Sequence, residues 1–271
     1  MPPKSRTYQP QKTSAALAAQ NEALRAAVHR LTAAQLELPT RLGSWRVREL
    51  VAHLGLALGR LPDTLDDQGP DGPVLTLAGY AELSRTMAGA VDAAVTEHAA
   101  TGYAGPPEAV AAAFDRPLDA VRAVLDGPVV AEPGRRITLL AGRSMLLTDY
   151  LVTRLVEAVV HADDLAAALG PEAFPHDRQA VAAVARMLAD AFAERAPGGA
   201  VELRIPPYAV VQAVEGPRHT RGTPPNVVET DPLTWIRLAT GRTDWATAVE
   251  AAAVSASGER SDLRDHLPVL G

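Results

Sequence analysis

Glu157 and His161 stand four positions apart in the stretch Tyr150-Leu-Val-Thr-Arg154-Leu-Val-Glu157-Ala-Val-Val-His161-Ala-Asp-Asp164. Laid on a helix at about 100° per residue, Val152, Leu155, Val156, Val159 and Val160 form one apolar side. Tyr150, Arg154, Glu157, His161 and Asp164 fall together on the other. A carboxylate and an imidazole at i,i+4 are neighbours whose donor atoms can converge on one point, and both are ordinary zinc ligands. A third ligand must come from elsewhere, and His53 is the best placed. It lies mid-helix in Trp45-Arg-Val-Arg-Glu-Leu-Val-Ala-His53, at the flank of that helix's apolar stripe. The same spacing also describes a surface Glu–His pair, a mid-helix histidine is often a satisfied boundary residue, and solvation alone is an alternative reading of Asp163 and Asp164. A second dense polar run, Gly216 to Asn226, carries Arg218 and Arg221 among hydroxyls and glycine amides, a composition suited either to an anionic group or to a solvated, proline-tied loop.

The elements that must position these residues are mostly helices. A basic tail of residues 1–12 is expected to be flexible, followed by a helix over 15–31 capped by Thr13 or Ser14. Ser44 caps a second helix running from Trp45 to Leu61, with Val47, Leu50, Val51, Leu54, Leu58 and Leu61 as its stripe. An acidic Pro/Gly loop follows and reads as exposed. Helices are predicted over 77–100, over 107–125 with an interruption at Pro117, over 144–169 and over 177–195. Helices of this length with short loops describe an up-and-down bundle. The segment Ala196-Pro-Gly-Gly-Ala200 is the expected boundary. Beyond it VELRI, YAVVQAVEG and AVSASG read as strands and residues from Asp231 and from Trp245 as short helices. The fold class is therefore α+β: a metal-binding helical bundle at 13–195 and a small α+β domain at 200–271.

Composition bounds the chemistry. The 271 residues are 47% apolar and 21% charged with a net charge of -6, which disfavours nucleic acid as a partner. There is no cysteine, so disulfides, cysteine-ligated metals and a cysteine nucleophile are excluded, and any thiol must arrive as a substrate. No apolar run reaches the roughly 18 residues of a membrane span, and the first residues lack a signal-peptide core, so the cytoplasm is the expected location. G-x-G-x-x-G, Walker A, G-x-S-x-G and H-E-x-x-H motifs are absent.

Trp45-x-Val-x-Glu49-Leu-Val-x-His53 is similar to the N-terminal helix signature of the mycothiol-dependent maleylpyruvate isomerases and their DinB-like bundle relatives. Asp149-Tyr150-Leu-x-x-Arg154-x-x-Glu157-x-x-x-His161-x-x-Asp164-Leu resembles the second metal-ligand segment of that family. GPRHTRGTPPNVVETDPLTW resembles its small, sterol-carrier-like C-terminal domain. The resemblance spans nearly the whole chain, in the right order. It implies zinc on His53, Glu157 and His161, with an open position for water or a thiol sulfur, and mycothiol as thiol co-substrate. Arg154 and Tyr150 are then expected to contact the cofactor. Asp164 is expected behind the metal or on the substrate, and Arg218 and Arg221 are expected to face the metal and hold an acidic electrophile.

Ordinary chemistry agrees: a free thiol of pKa about 8.5 is only a few per cent thiolate at neutral pH, and zinc ligation deprotonates it. The expected partners are a small thiol and a small electrophile, for transfer or isomerisation. The competing readings are a sterol-carrier-like binder of an apolar ligand with a structural or vestigial metal site, and a hydrolase using zinc-bound hydroxide.

Overall fold

In the computed structural model the described residues are 6–65, 72–139, 142–170, 172–216 and 224–270. They form two compact units, one made of Tyr8–Thr76 with Thr86–Ala180, the other of the described residues before Tyr8 with Leu77–Arg85 and Val181–Gly271.

The first unit is helical. In chain order it holds α1 (Pro10–Val28), α2 (Ala33–Leu36), α3 (Val47–Gly59), the later part of α4 (Leu77–Gly102), α5 (Pro107–Leu125) and α6 (Leu147–Leu169). A hairpin of β1 (Arg136–Thr138) and β2 (Ser144–Leu146) pairs antiparallel just before α6. Helices α1, α6, α3 and α5 close a ring in which each packs on the next. Leu17, Leu24, Leu50, Leu54, Phe114, Leu151 and Leu155 fill its centre with almost no exposure. This is the expected bundle.

Several local expectations change. The chain is already helical at Pro10, inside the tail expected to be flexible, because proline suits the first helical position and Thr13 and Ser14 turn inward to bond Gln9 O and Gln11 O. The helix carrying His53 starts at Val47, not after Ser44. The Glu49 side chain accepts from Arg46 N at 2.9 Å and closes the first turn in Ser44's place. Helix α5 runs unbroken through Pro117. A proline there leaves the carbonyl four residues earlier without its N–H. That carbonyl, Ala113 O, instead accepts from the Tyr103 hydroxyl at 3.3 Å.

Helix α6 departs from prediction most. Its polar side is not at the surface: Tyr150, Arg154, Asp163 and Asp164 are all buried, and Asp164 is fully so. The apolar and polar sides are both consumed, since α6 packs on α1 and also on α3. Gln20 of α1 donates to Ala158 O on one side, and Arg154 Nη1 donates to Ala57 O in the last turn of α3 at 2.7 Å on the other. The reading of Asp163 and Asp164 as solvated is thereby corrected.

The second unit is mixed. Helix α7 (Arg178–Arg195) contributes its residues from Val181 onward, followed by β3 (Val201–Ile205), β4 (Ala209–Ala213), β5 (Val227–Thr230), α8 (Pro232–Ala239), α9 (Trp245–Glu250) and β6 (Val254–Ser257). The sheet order is β4-β3-β5-β6, with β3 and β5 parallel and the outer pairs antiparallel. Asp231 caps α8 and Asp244 caps α9, each side chain accepting from amides of the first turn. Trp235 Nε1 donates to Ala185 O at 3.2 Å and the Trp235 ring meets Phe192 edge-on at 5.6 Å, so α7 belongs to this core. The Pro-Gly-Gly segment expected to be the boundary therefore lies inside a unit. Gly199 and Ala200 donate to Val214 O, and a Cβ at Gly198 would stand 1.9 Å from that same oxygen.

Candidate metal centre

His53 comes from the middle of α3 and Glu157 and His161 from successive turns of α6, brought together because α6 turns its polar side onto α3. One donor atom from each of the three lies within 4.8 Å of the others. His53 Nε2 is 3.1 Å and His161 Nε2 3.3 Å from the same oxygen, Glu157 Oε2. The imidazoles stand edge to face with centroids 4.5 Å apart. Side-chain exposure is 9% for His53, 12% for His161 and 21% for Glu157, so all three are largely buried, Glu157 least.

Each of the three side chains is held by its neighbours. Asp164 Oδ2 lies 2.8 Å from His161 Nδ1; a carboxylate only accepts, so that nitrogen carries a proton, and Nε2 is the nitrogen turned toward Glu157. Trp45 lies against His53, centroids 5.2 Å apart, and is fixed by its Nε1 donating to Asp92 Oδ1 at 2.7 Å. His53 Nδ1 is buried with no hydrogen-bond partner, so that ring is set by packing and by its Nε2 on Glu157. Arg154 Nη2 is 4.0 Å from Glu157 Oε1. Its guanidinium also covers the Tyr150 ring at 4.7 Å.

The electrostatics are those of a site short of positive charge. On Glu157 burial pushes upward, but hydrogen bonds from His161 and His53 and the charges of His53 and Arg154 hold the carboxyl well below its ordinary range. On His161 burial pushes downward and is overcome by Asp164 and Glu157, so the imidazole is raised. His53 is lowered, by burial first and then by His161. Two imidazole nitrogens and a carboxylate oxygen facing one point fit a divalent cation such as zinc and leave room for a further ligand.

The three residues singled out as metal ligands from the sequence are thus brought together. Asp164 lies behind His161, with one oxygen on that ring and the other on Arg41. Arg154 and Tyr150 are buried beside Glu157, between α3 and α6. Arg218 and Arg221 lie outside the described residues. Sequence reasoning missed Arg41, Trp45 and Asp92. The available signal was the Asp163-Asp164 pair itself, since two adjacent acids on a helix that is buried all round require a cation.

A helical bundle with a His–Glu–His cluster between two of its helices, followed by a small mixed unit, is the architecture of a DinB-like protein with a candidate metal site. A family model described as the mycothiol maleylpyruvate isomerase N-terminal domain matches residues 17–166, and one described as the bacterial SCP ortholog matches residues 177–269. The first spans more than half of the chain, which belongs to the mycothiol-dependent maleylpyruvate isomerase family, with a sterol-carrier-like C-terminal domain. The fold is that of the crystal structure of the mycothiol-dependent maleylpyruvate isomerase, with a TM-score of 0.62 at 16% identity over 97% of each chain. A histidine-to-alanine mutant of the isomerase gives 0.60 at 16% identity, again over 97% of each. The comparison with curated proteins returns no significant match.

Proposed function

We propose that this protein is a metal- and mycothiol-dependent isomerase of a small electrophilic substrate, with zinc held by His53, Glu157 and His161. The observation that carries the reading is the convergence of three donor atoms of zinc-ligand type from two helices onto one point. A divalent ion there supplies Lewis acidity and favours the thiolate form of a thiol that reaches it, which a chain without cysteine cannot otherwise provide.

The residues of the chain do the holding. Asp164 fixes the His161 tautomer, Arg154 balances the charge of Glu157, and Trp45 walls off His53 from water. Arg218 and Arg221 are proposed to bind the acidic part of the electrophile. The carrier reading has less support. A cavity of about 240 Å³ in the mixed unit has Glu82, Glu194 and Arg195 on its wall, chemistry that does not favour a long apolar ligand.

The test is elemental analysis of tag-free protein, then calorimetry with mycothiol and product analysis with candidate unsaturated acids. About one zinc per chain is expected, and His161→Ala and His53→Ala should each abolish it, since two ligands seldom hold zinc tightly. Thiol binding should need the metal. Thiol recovered unchanged beside a rearranged substrate marks an isomerase, whereas consumption of thiol marks a transferase. A protein that neither carries nor takes up metal ends the reading.

A further inference from the structure

Asp163 and Asp164 are adjacent buried carboxylates on α6. Like charges so placed in a low dielectric require a counter-charge within hydrogen-bond reach. Arg41 provides it with a divided fork: Nε is 2.5 Å from Asp164 Oδ1 and Nη2 is 2.6 Å from Asp163 Oδ2. The second oxygen of Asp164 faces His161 Nδ1 at 2.8 Å. A continuous chain therefore runs from Arg41 through Asp164 to His161, and its far end is the Nε2 that faces Glu157.

The loop carrying Arg41 is built to be rigid. Thr40 N and Thr40 Oγ1 both donate to Trp45 O, at 2.9 and 2.7 Å, and Leu42 N donates back to Thr40 Oγ1 at 3.1 Å. Gly43, at φ 60°, supplies the left-handed step that closes the turn. The same loop ends in Trp45, whose ring lies on His53. One short segment thus backs both histidines.

We propose that Arg41 is a positioning residue of the metal centre, which by gripping Asp164 fixes the proton of His161 on Nδ1 and aims Nε2 at the metal. The proposal rests on the reading of His53, Glu157 and His161 as metal ligands. Ligating histidines commonly pass their other N–H to a carboxylate; here that carboxylate is itself locked by a guanidinium. Lysine cannot reproduce the lock, because one ammonium on a flexible stem cannot reach the two carboxylates as a planar fork does.

Zinc affinity of the full chain, measured by competition with a chromophoric chelator, tests this for wild type, Arg41→Gln and Arg41→Lys, with folding checked by circular dichroism. Arg41→Gln should bind roughly 10- to 100-fold more weakly, the range for loss of such a supporting partner, and Arg41→Lys should fall between. Wild-type affinity in both variants overturns the proposal. If Arg41→Gln does not fold, Arg41→Lys decides alone: undiminished affinity overturns the proposal and a several-fold loss supports it. If wild type itself takes up no zinc, the metal reading fails, and nitrogen-15 spectra of the His161 ring in metal-free protein decide on Arg41. Read above the raised pKa of His161, where the ring is neutral, a proton confined to Nδ1 in wild type but shared between the nitrogens in Arg41→Lys supports the positioning role. Identical tautomers in the two overturn it.

Discussion

His53 and His161 face one carboxylate oxygen, yet their surroundings push them in opposite directions. Burial and the neighbouring ring lower His53, while Asp164 and Glu157 overcome burial and raise His161. In metal-free protein near the ordinary histidine pKa of about 6.5, the shared proton therefore resides on His161. Metal binding needs the Nε2 lone pair and must expel that proton. The sign follows: zinc affinity should rise with pH through the raised pKa of His161. Proton release should approach one per zinc at about pH 6.5 and decline above the raised pKa. Calorimetry in buffers of different ionisation enthalpy reads this directly. Release that is absent at pH 6.5, or that grows toward alkaline pH, would show that His161 does not hold the proton.

At the scale of elements, two glycines of α3 lie close against Tyr103 and against Phe114 and Pro117 of α5. A Cβ at Gly55 would lie 2.1 Å from the Tyr103 hydroxyl, and one at Gly59 would lie 2.7 Å from Pro117 Cβ, which explains two glycines inside a helix. The Tyr103 hydroxyl stands in for the N–H that Pro117 lacks. Tyr103→Phe should therefore cost about 1–3 kcal/mol at pH 7 by leaving a buried carbonyl unpaired. Burial raises Tyr103 to about 12 from its ordinary 10. The folded state then keeps a proton that the unfolded chain gives up, so this stability is whole below about pH 10 and lost between there and the raised value. The gap between wild type and Tyr103→Phe should accordingly shrink at about pH 11, as urea unfolding at both pH values would measure. Gly55→Ala should destabilise less in the Tyr103→Phe background than in wild type, because the clashing atom is gone; simple additivity would count against the contact.

What was legible in the sequence follows the same division between local and tertiary causes. The stripe of α3, the four-residue step from Glu157 to His161 and the start of α8 at Asp231 are local signals, and each appears where the residues place it. His53 is brought to the α6 pair by helix packing, and its candidacy needed both a flank position and the family signature. The polar side of α6 misled because 3.6-residue periodicity records which residues share a side, not whether that side meets water. The buried Arg154 and Asp164 needed α3 and Arg41 to be tolerated there, and neither partner is near in sequence. The β1–β2 hairpin, with three residues per strand, is too short to show a period.

Across the whole molecule, each of the two units has its own apolar centre, and the boundary between them is set by packing instead of by composition. Glycine and proline at 196–200 read as the boundary, but Val214 N donates to Ala196 O at 2.7 Å and ties the segment to the sheet. No helix among the described residues is long and apolar enough to cross a membrane. The mixed unit is small for an independent core, and α7 enlarges it through Phe192 and Trp235, both almost fully buried. Trp235 is the largest side chain in that core, and its indole reaches across to α7. Trp235→Ala removes the ring, its edge contact with Phe192 and the bond to Ala185 O, and should cost about 3–5 kcal/mol. None of the three metal-site residues belongs to that unit. Urea unfolding followed by circular dichroism should show the loss, while zinc titration well below the transition should still give one site per chain. Unchanged stability would mean that α7 does not depend on the indole, and a folded variant that no longer took zinc would mean that the metal centre depends on more than the helical unit.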